Sequence, residues 1–169
     1  MPVNDRAHFQ KRFAYHHWAT DRVLDALAPL TPGQLDERFG GSFGTGRALL
    51  RHIVGVERLW CDRWTGESAK GLPDFPATHS ARDYRAEWET VKLDQQHFLA
   101  ELSEYQIKGE LTYVNIKGEK WTYPFTDILE HCVNHGTYHR GQVTHLLRDR
   151  GLAAPSTDYL IFADEFRKR

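Results

Sequence analysis

The chain has 169 residues, 12% of them aromatic, a formal net charge of −1 at pH 7, ten histidines and two cysteines. That length suits one domain over residues 1–169 with a sizeable core. The near-zero charge argues against a broad electrostatic grip on nucleic acid, and no apolar run approaches the roughly 20 residues of a membrane span. The opening stretch MPVNDRAHFQKRF lacks the apolar core of a signal peptide, so a cytoplasmic location is expected. Cys61 and Cys132 fall in predicted helices and imply no disulfide framework.

In chain order, the spacing predicts a first helix over residues 5–27, with Phe9, Phe13, His16, Thr20, Leu24 and Leu27 on one face. His17 lies off that stripe and is expected at the surface. Thr31-Pro32-Gly33-Gln34 reads as a short helix start, with Thr31 as N-cap. The stretch GGSFGTG follows; it lacks the lysine and hydroxyl of a phosphate loop and reads as a glycine-permitted connection. A second helix over 45–64 carries the stripe Leu49, Ile53, Val56 and Trp60. His52 sits on its flank, about 60° from the centre, where it can point between neighbouring helices. Glu57 reads as a surface charge.

Residues 66–79 read as a loop with an exposed His79, and Ser80 with Asp83 caps a third helix over 81–105. The period then changes to that of a short β-hairpin over 110–123, turning at Lys117-Gly118. Pro124 stops the hairpin and Thr126 is positioned to cap a fourth helix ending near Arg150, with Gly151 as terminator. A last amphipathic segment covers 157–167, and the basic tail Arg167-Lys168-Arg169 reads as a solvated end.

The fourth helix carries the chemistry. Ile128, Cys132, His135, His139, Gln142 and Leu146 share one face, which opens and closes with aliphatic residues and so should look inward. His135 and His139 are four apart, placing their Cβ atoms roughly 6 Å apart. Two imidazoles so placed can converge on one metal ion; alternatively, they are two core histidines satisfied by hydrogen bonds. Gln142 and Tyr138 are positioned to orient a ligand or substrate, Arg140 to meet an anion, and His16 to stand behind the site; the simpler alternative gives the first three ordinary helix-surface or core roles and makes His16 a polar core-edge histidine. Cys132 faces inward as packing.

The segments HHWA, LLRHIVGVERLW, NHGTYHRGQVTHLLR and AAPSTDYLIF, spread over nearly the whole chain, resemble the DinB-like family of metal-binding proteins. The resemblance implies an all-α, up-down-down-up four-helix bundle with a long crossover, here with a small β-hairpin before the fourth long helix and a short C-terminal helix. It maps the family's histidine triad onto His52, His135 and His139. His131 is a competing ligand, but His131 and His139 lie about 12 Å apart along the axis, too far for one ion to take all three fourth-helix histidines. His145 lies on another face. The resemblance implies one divalent ion (Zn, Ni or Fe), a small-molecule substrate and a homodimer. The activity it suggests is thiol S-transfer with a low-molecular-weight thiol as cosubstrate, or hydrolysis. The alternative is a non-catalytic metal-binding stress-response protein. A ferritin-like di-iron protein would need paired Glu-x-x-His signals that the chain lacks.

Overall fold

The first three long helices, and the short helix that follows the first of them, begin where a polar side chain takes over an orphaned backbone N–H. Asp5 accepts from His8 N to open α1 (Arg6–Ala26), and Thr31 with Gln34 forms a reciprocal cap on α2 (Pro32–Asp36). Thr45 caps α3 (Gly46–Trp64), and Ser80 with Asp83 caps α4 (Ala81–Glu101). The fourth long helix is α6 (Phe125–Asp149), and the short α7 (Tyr159–Arg167) closes the chain. This computed structural model describes residues 5–67 and 71–168. The first four residues, positions 68–70 of the expected loop and Arg169 of the basic tail lie outside the described residues.

The direction of each long helix follows from which residues meet. His8 and Arg12 reach Glu130, and Arg140 donates to Thr20, so α1 and α6 run parallel. Gln10 reaches the Leu99 carbonyl, His17 meets Gln95 and Arg85 meets Asp25, so α1 and α4 are antiparallel. Arg47 holds the His79 carbonyl and Arg58 pairs with Asp94 at 2.6 Å, so α3 and α4 are parallel. Gly46 packs on Leu146 while Trp60 packs on His131, so α3 and α6 are antiparallel. The bundle is therefore up-down-down-up. The parallel α3–α4 pair forces a crossover, and the loop runs back along α3 with Leu72 and Pro73 against Gly55.

Apolar stripes from all four long helices meet in one core, including Phe9, Phe13, Leu49, Ile53, Trp88, Leu129 and Leu146. Trp88 is fully buried, and its indole N–H is satisfied by Asp21 at 2.7 Å. The hairpin pairs β1 (Glu110–Val114) with β2 (Lys120–Pro124), Tyr113 opposite Trp121. Leu111, Tyr113 and Tyr123 pack on the core, the support that two strands need. Among the described residues no helix is long and apolar enough to cross a membrane.

Three boundaries differ from the expectation. The third helix stops at Glu101, because Leu102 leaves helical geometry and Ser103 with Gln106 caps a new turn, α5 (Glu104–Ile107). The hairpin turn is wider than Lys117-Gly118: Asn115 N donates to the Glu119 carbonyl, and the Asn115 side chain accepts from Lys117 N and Glu119 N. Gly118 supplies the left-handed residue, with φ of 83°. Thr126 does not cap α6. Pro124 occupies that position while still paired with Glu110, and Phe125 N donates to the Gly109 carbonyl instead.

Candidate metal centre

α3 and α6 cross so that the flank of one faces the polar middle of the other. His52 Nε2 lies 3.2 Å from His135 Nε2 and 3.1 Å from His139 Nε2. The three donor atoms fall within 4.8 Å of one another, the one such group of His, Cys, Asp or Glu among the described residues. His139 is buried; His52 and His135 are half-buried. The inward-face reading of α6 holds at its ends, with Ile128, Cys132 and Leu146 buried, while His135 and Gln142 open towards solvent.

The donor set fits a divalent ion. Nitrogens bound tetrahedrally at ~2.05 Å lie ~3.3 Å apart, close to the separations found here. Gln142 Oε1 accepts from His139 Nδ1 at 2.7 Å, which fixes the tautomer and leaves the Nε2 lone pair directed at the other two rings. Ser42 Oγ, 3.4 Å from Gln142 Nε2, holds the amide the right way round. Burial, and then the neighbouring His139, push His52 down to about 4 and His135 down to about 3. Burial likewise lowers His139. All three rings are thus neutral donors at neutral pH.

The glycine-rich loop contributes what the sequence did not disclose. Phe43 lies over the triad, its ring centre 4.7 Å from that of His52 and 5.5 Å from that of His139. Gly41 and Gly44 have φ of 127° and 74°, and that backbone turns the loop tip onto the site. The glycine spacing was the available signal, but it does not say which side chain would be delivered. Tyr138 stands at the rim, 66% exposed, its ring 5.0 Å from His139. With Phe43 and Gln142 it lines a cavity of about 230 Å³. His131 lies outside the triad, exposed and packed on Trp60 at 5.3 Å, and His145 is exposed against Phe39.

Behind the triad runs a buried polar layer. Glu57, expected at the surface, is 1% exposed and accepts from Gln95 Nε2 at 2.8 Å. His16 Nε2 lies 3.3 Å from Glu57 Oε1, though without the alignment of a hydrogen bond. His17, also expected at the surface, is buried and meets Gln95 Oε1 at 2.8 Å. It faces α4, so the buried arc of α1 is wider than a single stripe. Arg140 is buried too, donating to His16 Nδ1, Thr20 and Thr137, and so is unavailable to an external anion. His16 therefore belongs to this layer and makes no hydrogen bond to the triad. His79 is half-buried against Phe75 and Tyr84 rather than exposed.

Burial works to raise the Glu57 carboxyl, but the electrostatics of the adjacent His16 and the His16 and Gln95 contacts outweigh it and hold the group below the ordinary carboxylate range. Its negative field acts on His135 and His139, favouring positive charge there, while burial of the rings opposes their protonation. A bound cation would profit from the first without incurring the second. The cysteines offer no competing nucleophile: burial pushes Cys61 up to about 12 and Cys132 well above its ordinary value. A larger groove of about 450 Å³, lined by Arg58, Cys61, Asp94 and Phe98, lies between α3 and α4 and includes none of the triad.

Known proteins resemble this arrangement over nearly its full length. Protein DinB of Bacillus subtilis (strain 168) is 25% identical over 157 residues, covering 90% of this chain and 91% of its own. The crystal structure of a DinB-like protein from Bacillus cereus ATCC 10987 superposes with a TM-score of 0.71 at 22% identity, covering 89% of this chain and 95% of that one, a likeness of fold. The DinB family model matches residues 1–168, and with a bundle of that topology and three imidazoles gathered between its second and fourth long helices, the chain belongs to the DinB family.

Proposed function

We propose that the protein is a metal-dependent enzyme acting on a small substrate, with thiol S-transfer as its reaction and His52, His135 and His139 holding one divalent ion, Zn, Ni or Fe. The observation that carries this reading is the convergence of three neutral imidazoles, His52 Nε2 lying 3.2 Å and 3.1 Å from those of His135 and His139, with His139 locked by Gln142. Three protein donors leave a coordination position for an outside ligand, as catalytic rather than structural sites do. When bound, the ion supplies Lewis acidity that favours the thiolate form of a low-molecular-weight thiol near neutral pH.

The chain's own residues do the rest. Gln142 keeps His139 in the donor tautomer, and Phe43 shields His52 and His139 from bulk water. Tyr138, on the rim, contacts the incoming substrate. In the transfer, the thiol S–H bond breaks and a new S–C bond forms at the electrophilic carbon. The leaving group departs with its electron pair and the proton passes to solvent. The thiol must come from outside, because both protein cysteines are buried and held protonated. Hydrolysis would use the same open position for water, and a non-catalytic role would leave it idle.

Metal analysis of purified protein, followed by a panel of thiols and electrophiles, tests the reading. Turnover requiring metal and thiol, and abolished in His52→Ala, is the expected result. Turnover with water alone would favour hydrolysis, and stoichiometric metal without turnover across the panel would favour the non-catalytic role.

A further inference from the structure

One turn before His135, α6 borders a second cavity, of about 350 Å³, lined by Trp60, Tyr113, Tyr123, Asp127, Ile128 and His131. It adjoins the triad through His131, whose ring centre is 5.9 Å from that of His135. Its size falls in the range of small-molecule sites. Three of its six lining residues are Trp or Tyr, which offer large, rigid surfaces to a flat ring.

The charges around it narrow the ligand. The Arg63 guanidinium lies 4.6 Å from the ring centre of Trp60 and 4.3 Å from that of Tyr113. Arg63 is only 6% exposed, has no carboxylate partner among the described residues, and its Nε makes no hydrogen bond. Two of the aromatic walls therefore already carry a poorly compensated cation, and a second cation against them would be repelled. Asp127 adds an exposed carboxylate with no ion pair among the described residues. It repels an anion but accepts a hydrogen bond from a hydroxyl or N–H. A basic ligand is opposed from one side and an acidic ligand from the other.

We propose that this cavity is a recognition subsite for an uncharged, flat aromatic group bearing a hydrogen-bond donor, of the phenol type, stacked among Trp60, Tyr113 and Tyr123 and donating to Asp127. That the group is part of the substrate rests on the function proposed above; that the cavity binds it does not. Bound there, the aromatic end of a substrate would sit one helical turn from His135, with the remainder extending towards the triad.

Ligand-observed saturation-transfer NMR on the whole protein tests this, metal-free and metal-loaded, with phenol, benzylamine, benzoate and cyclohexanol as probes. Phenol should bind at least about tenfold more tightly than the other three. Tyr123→Ala and Asp127→Asn should each weaken phenol about tenfold; Asp127 is exposed, and because Tyr123 packs on the core, circular dichroism of Tyr123→Ala checks that the fold is kept. His135→Ala should leave phenol binding intact even if metal binding is lost, so the two readings fail separately. Absence of saturable phenol binding would overturn the proposal. So would equal binding of cyclohexanol, tighter binding of benzylamine or benzoate, or indifference to both substitutions.

Discussion

The three triad imidazoles are held in different ways, and the differences are measurable. His139 is buried and fixed by Gln142, whereas His52 and His135 are half-buried, His52 resting against Phe43 and His135 against the other two imidazoles. Replacing any of the three by Ala should abolish stoichiometric metal binding in a titration, while His131→Ala and His145→Ala, outside the triad, should change affinity by less than about threefold. Gln142→Leu should weaken affinity about 10–100-fold by freeing the His139 tautomer. The pH dependence follows from the lowered imidazoles. Three exposed histidines of ordinary pKa 6.5 would each lose about fivefold to protons between pH 6.5 and 5.5, about 170-fold together. Here the folded values stand near 4 for His52 and 3 for His135, so protons compete only well below 5.5. Metal affinity should therefore change by less than about tenfold over that interval, and a titration at both pH values checks it.

At the scale of elements, the close approach of α1 to α6 depends on Gly136. A Cβ there would meet His16 Cε1, lie 2.5 Å from His16 Nδ1 and 2.9 Å from Arg140 Nη1, and the buried His16 ring has nowhere to retreat. Gly136→Ala gains about 1 kcal/mol of helix propensity but should lose about 2–3 kcal/mol to overpacking, for a net destabilisation of about 1–2 kcal/mol in urea unfolding. The α1–α4 contact supplies a second prediction. His17 is buried and pushed down to about 3, first by desolvation and then by His16. Its folded pKa lies below the unfolded value of 6.5, so on acidification the unfolded chain takes up a proton that the folded one refuses. Stability is fully present above pH 6.5 and is lost as pH falls from there towards the folded value. Across that window His17 should contribute a slope of about 1.4 kcal/mol per pH unit, and His17→Gln should remove about that much from the measured pH dependence of unfolding.

For the whole molecule, the bundle leaves an apolar strip on α7. Leu160 is 75% and Phe166 49% exposed, with Tyr159 and Ile161 partly open, while Phe162 anchors the helix to Tyr15 and Trp18 and lies 5.5 Å from the Phe166 ring centre. A homodimer, which the family resemblance implies, would give such a strip a partner. Light scattering of the metal-loaded protein should give twice the chain mass, and Leu160→Glu with Phe166→Glu should shift it to the monomer. A monomeric mass for the unmodified protein across a wide concentration range would rule the dimer out.

Local signals in the chain specify the elements and half of the site. Helical period, capping residues and the break to alternation near Leu111 located four long helices and the hairpin, because these are local signals set by neighbouring residues. The i, i+4 spacing of His135 and His139 is likewise local to one helix. His52 is different: its flank position left it one candidate among several, and family resemblance rather than periodicity selected it. Only the tertiary structure brought its ring to within hydrogen-bonding distance of the other two, because that depends on the antiparallel crossing of α3 with α6. The same holds for Glu57, His17 and Arg140. Each looks like a surface charge or a boundary group in sequence, since burying it alone would be costly. Each is buried because partners arrive from other helices: Gln95 from α4 serves both Glu57 and His17, while His16 and Thr20 from α1 meet Arg140. Helical periodicity tells which side of a helix faces inward, and the fold decides what that side meets there.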